Sequence, residues 1–193
     1  PWSWYFHETN TRYPHAYQVW RPLFDQILLN NSRSNGVAVY ENHRVLEVLF
    51  EADKATGVRY ENSNGIQKIA RARIIIDASG QVGLLAHQKQ LRKWDQSFQN
   101  LAVYGYFTGA KHLPSPDDTN IFIESHSDGW VWTIPLHTGW TSVGIVADSK
   151  IAQTMIGTQG PRQFFLNQIA QTHQTRDMLQ TATLIAGPSV VKD

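Results

Sequence analysis

The chain contains no cysteine. It therefore has neither a disulfide framework nor a thiolate metal site, and the composition fits a reducing, cytoplasmic setting. No charge of either sign dominates. Lys and Arg number 17 against 16 Asp and Glu, a formal net charge of +1, which offers no footprint for nucleic acid or for an anionic membrane surface. No apolar run approaches the roughly 20 residues that a membrane-spanning helix needs, and no signal peptide is visible. The 8 histidines are scattered, with no His-x-x-x-His pair or other metal spacing, so no metal is expected. Gly-x-Ser-x-Gly is missing, which removes the hydrolase elbow. Gly-x-Gly-x-x-Gly is missing too, and with it the strand-turn-helix that would hold a dinucleotide pyrophosphate.

What remains is an ordinary globular composition, 193 residues with a hydrophobic fraction of 41%, enough for a sizeable core. The segment from Gly129 to Val146 is the most informative. In Gly129-Trp130-Val131-Trp132-Thr133-Ile134-Pro135, β-branched and aromatic residues alternate with small or polar ones, and the same holds after the His137-Thr138-Gly139 turn. A period of two puts Trp130, Trp132 and Ile134 on one face and Val131 and Thr133 on the other. Pro135 cannot donate to a ladder and ends the strand.

Taken in order, residues 1–17 are aromatic and turn-rich, an irregular segment whose rings either anchor it or line a pocket. Gln18 to Ser32 is helical, with Val19, Leu23, Ile27 and Trp20, Phe24, Leu28 recurring at i, i+4, and Asn35-Gly36 ends it. Strands are expected at Val37–Tyr40, Arg44–Glu51, Gly57–Glu61 and Ile66–Arg71, the last three an antiparallel meander separated by Asp53-Lys54-Ala55-Thr56 and Asn62-Ser63-Asn64-Gly65. Ile74 to Ile76 reads as a strand buried on both faces of a parallel sheet, running into Asp77-Ala78-Ser79-Gly80 and a helix over Val82–Leu91. Lys89, Arg92 and Lys93 read as a solvated face. Leu101–Ala110, Asn120–Ser125, Trp130–Leu136 and Thr141–Ala147 form a second, antiparallel sheet. The Pro114-to-Asp118 stretch is a surface loop, with Asp117-Asp118 a solvated turn. Residues 161–180 are helical, and Thr183–Ala186 is a short strand. His126, Asp128 and His137 read as loop residues, not as ligands or acid-base groups.

The string Trp130-x-Trp132-x-Ile134-Pro135 resembles the signature of the flavin-dependent halogenases. The order helix, meander, apolar strand, Asp-Ala-Ser-Gly is similar to the middle of the FAD-binding domain in the wider aromatic hydroxylase-like flavoproteins. The fold this implies is α/β (α+β): part of an FAD-binding Rossmann-like domain with a β-meander, plus an antiparallel substrate-domain sheet. Residues 1–95 would be the central part of the FAD-binding domain, 96–160 the substrate-side sheet, and 161–193 a helix and strand returning toward the FAD-binding domain. The resemblance implies cofactor contacts at Gln18 and Arg21, which otherwise read as polar residues in a first turn. It implies further contacts at Val45, behind Arg44 at the head of a strand, and at Asp77, Ala78, Ser79 and Gly80.

By the same resemblance, reduced FAD, oxygen and chloride or bromide yield hypohalous acid, which travels through a tunnel to a lysine. Trp130, Trp132, Ile134 and Pro135 would wall that region from water and keep substrate from the oxidant. Packing alone accounts for the presence of each indole, since one ring buries about 150–250 Å², roughly 4–6 kcal/mol of gross transfer free energy. It does not account for two on one face closed by Ile-Pro. The expected partners are a small-molecule or carrier-tethered substrate, a halide and a flavin reductase. The reactive lysine would lie before Pro1 and a Gly-Asp motif after Lys192-Asp193, so the chain reads as a central fragment that binds FAD weakly and is inactive alone. Its unpaired sheet edges would favour self-association. The alternatives are an FAD-dependent monooxygenase or prenyl reductase of the same fold, against which the Trp-x-Trp-x-Ile-Pro string argues, and a non-catalytic remnant.

Overall fold

A computed structural model describes residues 2–95 and 99–192. Two compact units are present: Pro1–Gln26 with Ser97–Asp193, and Ile27–Gln96. The division differs from the one expected. The N-terminal segment groups with the second sheet, and the expected boundary at residue 96 lies outside the described residues.

In the unit Ile27–Gln96, strands β1 (Arg44–Glu51), β2 (Lys54–Glu61) and β3 (Gln67–Arg71) form the antiparallel meander in the order β1-β2-β3. The Asn62 side chain closes the second turn by accepting from the N–H groups of Asn64 at 3.0 Å and Ile66 at 2.9 Å, as asparagine does in turns. The first turn tightens to Ala52-Asp53, so β2 takes in Lys54–Thr56, three residues expected to be loop. Helix α1 (Arg21–Ser34) starts in the other unit and carries no buried residue.

Two expected strands are missing here. Val37–Tyr40 has no strand pairing. Ile74–Ile76, expected to be buried on both faces, is unpaired, with Ile74 80% and Ile76 84% exposed. A two-faced apolar run becomes a strand only when neighbours satisfy its ladder, and none does so among the described residues. The following helix is also shorter than expected: a 3-10 turn at Gly80–Val82 and then α2 (Leu84–Gln88). Lys89 does not face solvent freely; its ammonium sits 3.7 Å from the centre of the Phe50 ring, a cation-π contact.

The other unit is built on a five-stranded antiparallel sheet. Its strands are β4 (Asn100–Thr108), β5 (Phe122–His126), β6 (Gly129–Pro135), β7 (Trp140–Asp148) and β8 (Thr183–Lys192), in the order β5-β6-β7-β4-β8. Strand β8 is ten residues long and pairs with β4 at the sheet edge, where a short strand returning toward the FAD-binding part was expected. The expected 161–180 helix begins earlier and is interrupted. Helix α3 (Ser149–Ala170) is capped by Asp148, whose carboxylate accepts from the N–H groups of Lys150 at 2.9 Å and Ile151 at 3.1 Å, a strong N-cap arrangement. It breaks at Gly160, with φ 79° and ψ 160°, just before Pro161. The short helix α4 (Gln174–Met178) follows.

The core lies between one face of the sheet and α3. Leu101, Val103, Phe107, Val131, Val143 and Ile145 meet Phe164, Phe165 and Ile169. Each such side chain contributes about 1.5–3 kcal/mol on burial.

Glu124 of β5 locks α4 to the sheet. Its carboxylate accepts from His173 N–H at 2.7 Å, Gln174 N–H at 3.2 Å and Thr175 N–H at 2.8 Å. Desolvation pushes this carboxyl up, but the donated N–H groups outweigh it and hold it below the usual glutamate range. A depressed pKa stabilises the fold above the ordinary carboxylate range, and that contribution is lost as pH falls through the lowered value. Glu124→Gln is therefore expected to cost about 1 kcal/mol near neutrality, allowing for solvent screening, and to flatten the acid limb of a plot of Tm against pH.

Candidate functional site

Alternation along the central strands separates two faces. Val131 is 0% and Thr133 4% exposed, whereas Trp130, one position back, is 39% exposed. On β4 the buried residues are Leu101, Val103, Gly105 and Phe107, which turns Tyr104 and Tyr106 to the side opposite the core. The face away from α3 thus carries rings from three strands. Centroid distances are 6.0 Å for Trp130–Trp132, 6.4 Å for Trp132–Tyr104 and 6.1 Å for Tyr104–Tyr106. The row continues at 6.1 Å for Tyr106–Trp140 and 5.5 Å for Trp140–Trp20, the last ring coming from the segment just before α1.

The contact between Trp132 and Tyr104 depends on Gly144. Gly144 stands between them in register, paired with Trp132 on one side and Tyr104 on the other. Strands once removed lie roughly 9–10 Å apart, too far for two side chains standing upright. The indole instead lies flat over Gly144, where an added Cβ would meet Trp132 Cζ2 at 2.0 Å. Its Nε1–H also donates to Ser142 Oγ at 3.2 Å. Sequence reasoning singled out the two tryptophans but not Gly144, Ser142, Tyr104 or Tyr106. The signal was there: small residues at period two opposite a large ring.

Ile134 follows on the ring side, paired with Ser142. Pro135 pairs with Thr141 and lines, with Thr133, a cavity of about 10 Å³ on the other side of the strand, room for one water. The four motif residues are thus divided between the two faces. His126 Nδ1 accepts from Asp128 N–H at 3.3 Å in the turn before β6. Among the described residues no group of three His, Asp or Glu is arranged to hold a metal.

Gln18 donates its side-chain amide to Thr119 O at 2.7 Å, and Arg21 pairs with Asp25 at 3.0 Å. Asp117 is not a free solvated turn: it accepts from Tyr5 O–H at 2.7 Å and from the Asn120 amide at 2.7 Å. It thereby anchors the aromatic N-terminal segment, one of the two readings that the sequence allows. Pro1 and Asp193, at the expected cut ends, lie outside the described residues.

Val45 and the Asp77-to-Gly80 loop belong to the other unit. Val45 pairs with Tyr60. The Asp77 carboxylate accepts from Ser79 O–H at 2.6 Å, Ser79 N–H at 3.0 Å and Leu85 N–H at 2.7 Å, while Ser79 Oγ accepts from Leu84 N–H at 3.1 Å. The Ser79 hydroxyl first, then the Leu85 and Ser79 N–H groups, hold Asp77 below the usual carboxylate range. Ala78 is exposed within this loop. Gly80 takes φ +62°, the left-handed region that favours glycine, with open space where a Cβ would stand. A dinucleotide needs free N–H groups for its pyrophosphate, and those of Ser79, Leu84 and Leu85 are already taken. These three N–H groups are therefore not offered to a pyrophosphate.

A family profile described as tryptophan halogenase matches residues 5–178. The tryptophan 2-halogenase of Chondromyces crocatus is 30% identical over 184 residues, covering 94% of this chain and 35% of its own length. The flavin-dependent halogenase armH4 of Armillaria mellea is 36% identical over 143 residues, covering 69% of this chain and 27% of its own length. The solved myxobacterial chondrochloren halogenase CndH, described as a variant of FAD-dependent halogenases, superposes with a TM-score of 0.82 at 37% identity. That match covers 94% of this chain and 44% of the solved one. The chain spans about a third of the length of the first of these curated relatives.

Proposed function

The chain belongs to the tryptophan halogenase family, and from that premise we propose that it forms the middle of a flavin-dependent halogenase acting on an electron-rich organic substrate. The observation that carries this reading is the Trp130–Trp132 pair, held flat on the sheet over Gly144. FAD, bound in the full-length protein, supplies the activation of oxygen that turns chloride or bromide into a halogenating agent. The part given to this chain is containment. Trp130, Trp132 and Ile134 present an apolar wall that limits hydrolysis of a reactive species and keeps the substrate off the oxidant. Pro135 ends the strand and sets the hairpin, in which Leu136 N–H donates to Trp140 O at 2.8 Å.

Gln18, Arg21, Val45 and the Asp77-to-Gly80 loop are proposed to meet FAD only with other parts of the full-length protein. The N–H groups of Ser79, Leu84 and Leu85, engaged within the chain, support this reading. The partners that go with this reading are a halide, a free or carrier-tethered substrate and a flavin reductase, in the cytoplasm. Self-association through the β5 and β8 edges is part of the same proposal. Among the described residues no helix is long and apolar enough to cross a membrane.

Mass spectrometry of the full-length protein with reduced FAD, oxygen and bromide is expected to give a product whose bromine content follows the halide supplied. A hydroxylated or reduced product independent of halide would overturn the assignment. The 193-residue chain alone is expected to purify colourless; one bound flavin per chain would contradict weak FAD binding.

A further inference from the structure

Packing explains why large rings sit on the open face of the five-stranded sheet, but it does not explain which rings. The core face of the same sheet uses Phe107, Phe164 and Phe165. All six rings of the opposite row are Trp or Tyr, and none is Phe, although the chain has 8 phenylalanines. Tryptophan and tyrosine are the side chains that give up one electron most readily among the aromatics. Electron tunnelling falls exponentially with the gap between rings, so several hops at contact distance outrun one long transfer. Every step here is between 5.5 and 6.4 Å centre to centre.

We propose that Trp130, Trp132, Tyr104, Tyr106, Trp140 and Trp20 form a relay that carries an oxidising equivalent away from the paired indoles. A halogen- or oxygen-centred radical meeting Trp130, which is 39% exposed, takes one electron from the indole and is reduced by one electron. Trp132 refills Trp130, Tyr104 refills Trp132, and so on along the row, electrons moving toward Trp130 and the vacancy toward Trp20. Each phenol, being only half-buried, gives its O–H proton to solvent water as its electron leaves and takes one back from water when refilled. At Trp20 the N–H proton passes to water, and a soluble thiol returns one electron and one proton. Burial, and then the neighbouring Tyr104, raise the Tyr106 phenol above its ordinary pKa. Gly144 is the link without which Trp132 and Tyr104 do not touch.

The source of the radical rests on the halogenase reading, but the relay is tested without it. The chain has no cysteine, so Ser125→Cys gives one attachment point, directly across the ladder from Trp130. A ruthenium polypyridyl label placed there, flashed with an external electron acceptor, becomes a one-electron oxidant beside Trp130. The expected result is a transient tyrosyl radical, with stable oxidation products mapped by mass spectrometry at Tyr104, Trp140 and Trp20. Adding Tyr104→Phe, which keeps the ring and removes only the hydroxyl, should hold the damage at Trp130 and Trp132. The oxidised fraction at Trp140 and Trp20 should then fall several-fold, while the circular dichroism and melting curve stay unchanged. Tyr106→Phe should do the same one step later, and serves if the first variant does not fold. An unchanged distribution in both variants, or products scattered over exposed Trp2 and Trp94 in the parent, would overturn the relay. A halide-independent product from the full-length protein would overturn the halogenase reading and leave the photochemical result standing.

Discussion

Gly144→Ala is expected to push the Trp132 indole off the sheet. The added methyl would stand 2.0 to 2.4 Å from three indole atoms, well inside van der Waals contact, and no small adjustment of a flat-lying bicycle relieves all three. The ring has to turn outward. It then gives up its bond to Ser142 Oγ and its contacts with Trp130 and Tyr104. Overpacking of this kind costs about 1–3 kcal/mol. Near-UV circular dichroism should lose the signal of the coupled indoles, and tryptophan emission should shift to longer wavelength as the ring meets water. On the proposed halogenase reading, product formation by the full-length protein is expected to fall on the order of tenfold, equivalent to about 1.4 kcal/mol. Ser142→Ala provides the contrast: it removes one neutral hydrogen bond, about 1 kcal/mol, and leaves the ring on its glycine seat with its near-UV signal intact. Equal near-UV signals in the wild type and Gly144→Ala would refute the seat.

Phe165→Ala should have the largest effect on stability. The side chain is 0% exposed and packs on Phe107 at 6.1 Å between ring centres. It also comes close to Gly105, where an added Cβ would meet its ring at 3.6 Å. Truncating a buried phenylalanine costs about 3–5 kcal/mol, the transfer term plus the cavity left behind. Set against a typical domain stability of about 5–15 kcal/mol, that is enough to leave this unit marginal. Urea denaturation followed by circular dichroism would measure it. Phe165→Leu keeps most of the volume and is expected to cost less than about 1.5 kcal/mol. A loss below about 1 kcal/mol for the alanine variant would mean that α3 is not seated on the sheet as described.

How far the sequence could be read depended on whether a segment's partners are local. The meander and the Trp130–Trp132 hairpin were legible because alternation and turn residues lie within a few positions of one another. The start of α3 is hard to read because Ser149–Gln159 has a weak apolar pattern, while its decisive feature, the Asp148 cap, is a single residue. Ile74–Ile76 was legible as apolar but not as unpaired, since pairing depends on strands far away in sequence. At the candidate site the indoles stood out by size and spacing. Gly144 and Ser142 did not, because a glycine seat is recognised only once the register brings it under a ring. Asp117 looked like a loop residue until Tyr5, more than a hundred positions earlier, was found bonded to it.

The register of the three central strands has one more consequence. On β6, β7 and β4 the even-numbered positions share the ring side and the odd-numbered ones the opposite, core side, because the pairs sum to even numbers throughout, as in Trp132 with Gly144 and Tyr104 with Gly144. A substitution at an exposed even position such as Trp130 therefore alters the ring surface without touching Val131, Val143 or Ile145 of the core. A lost or gained codon inside any of these strands does the opposite. It would exchange the two sides, bury indoles against α3 and send the valines to water. A change of length keeps the two sides in place only where it falls in the loops of this sheet.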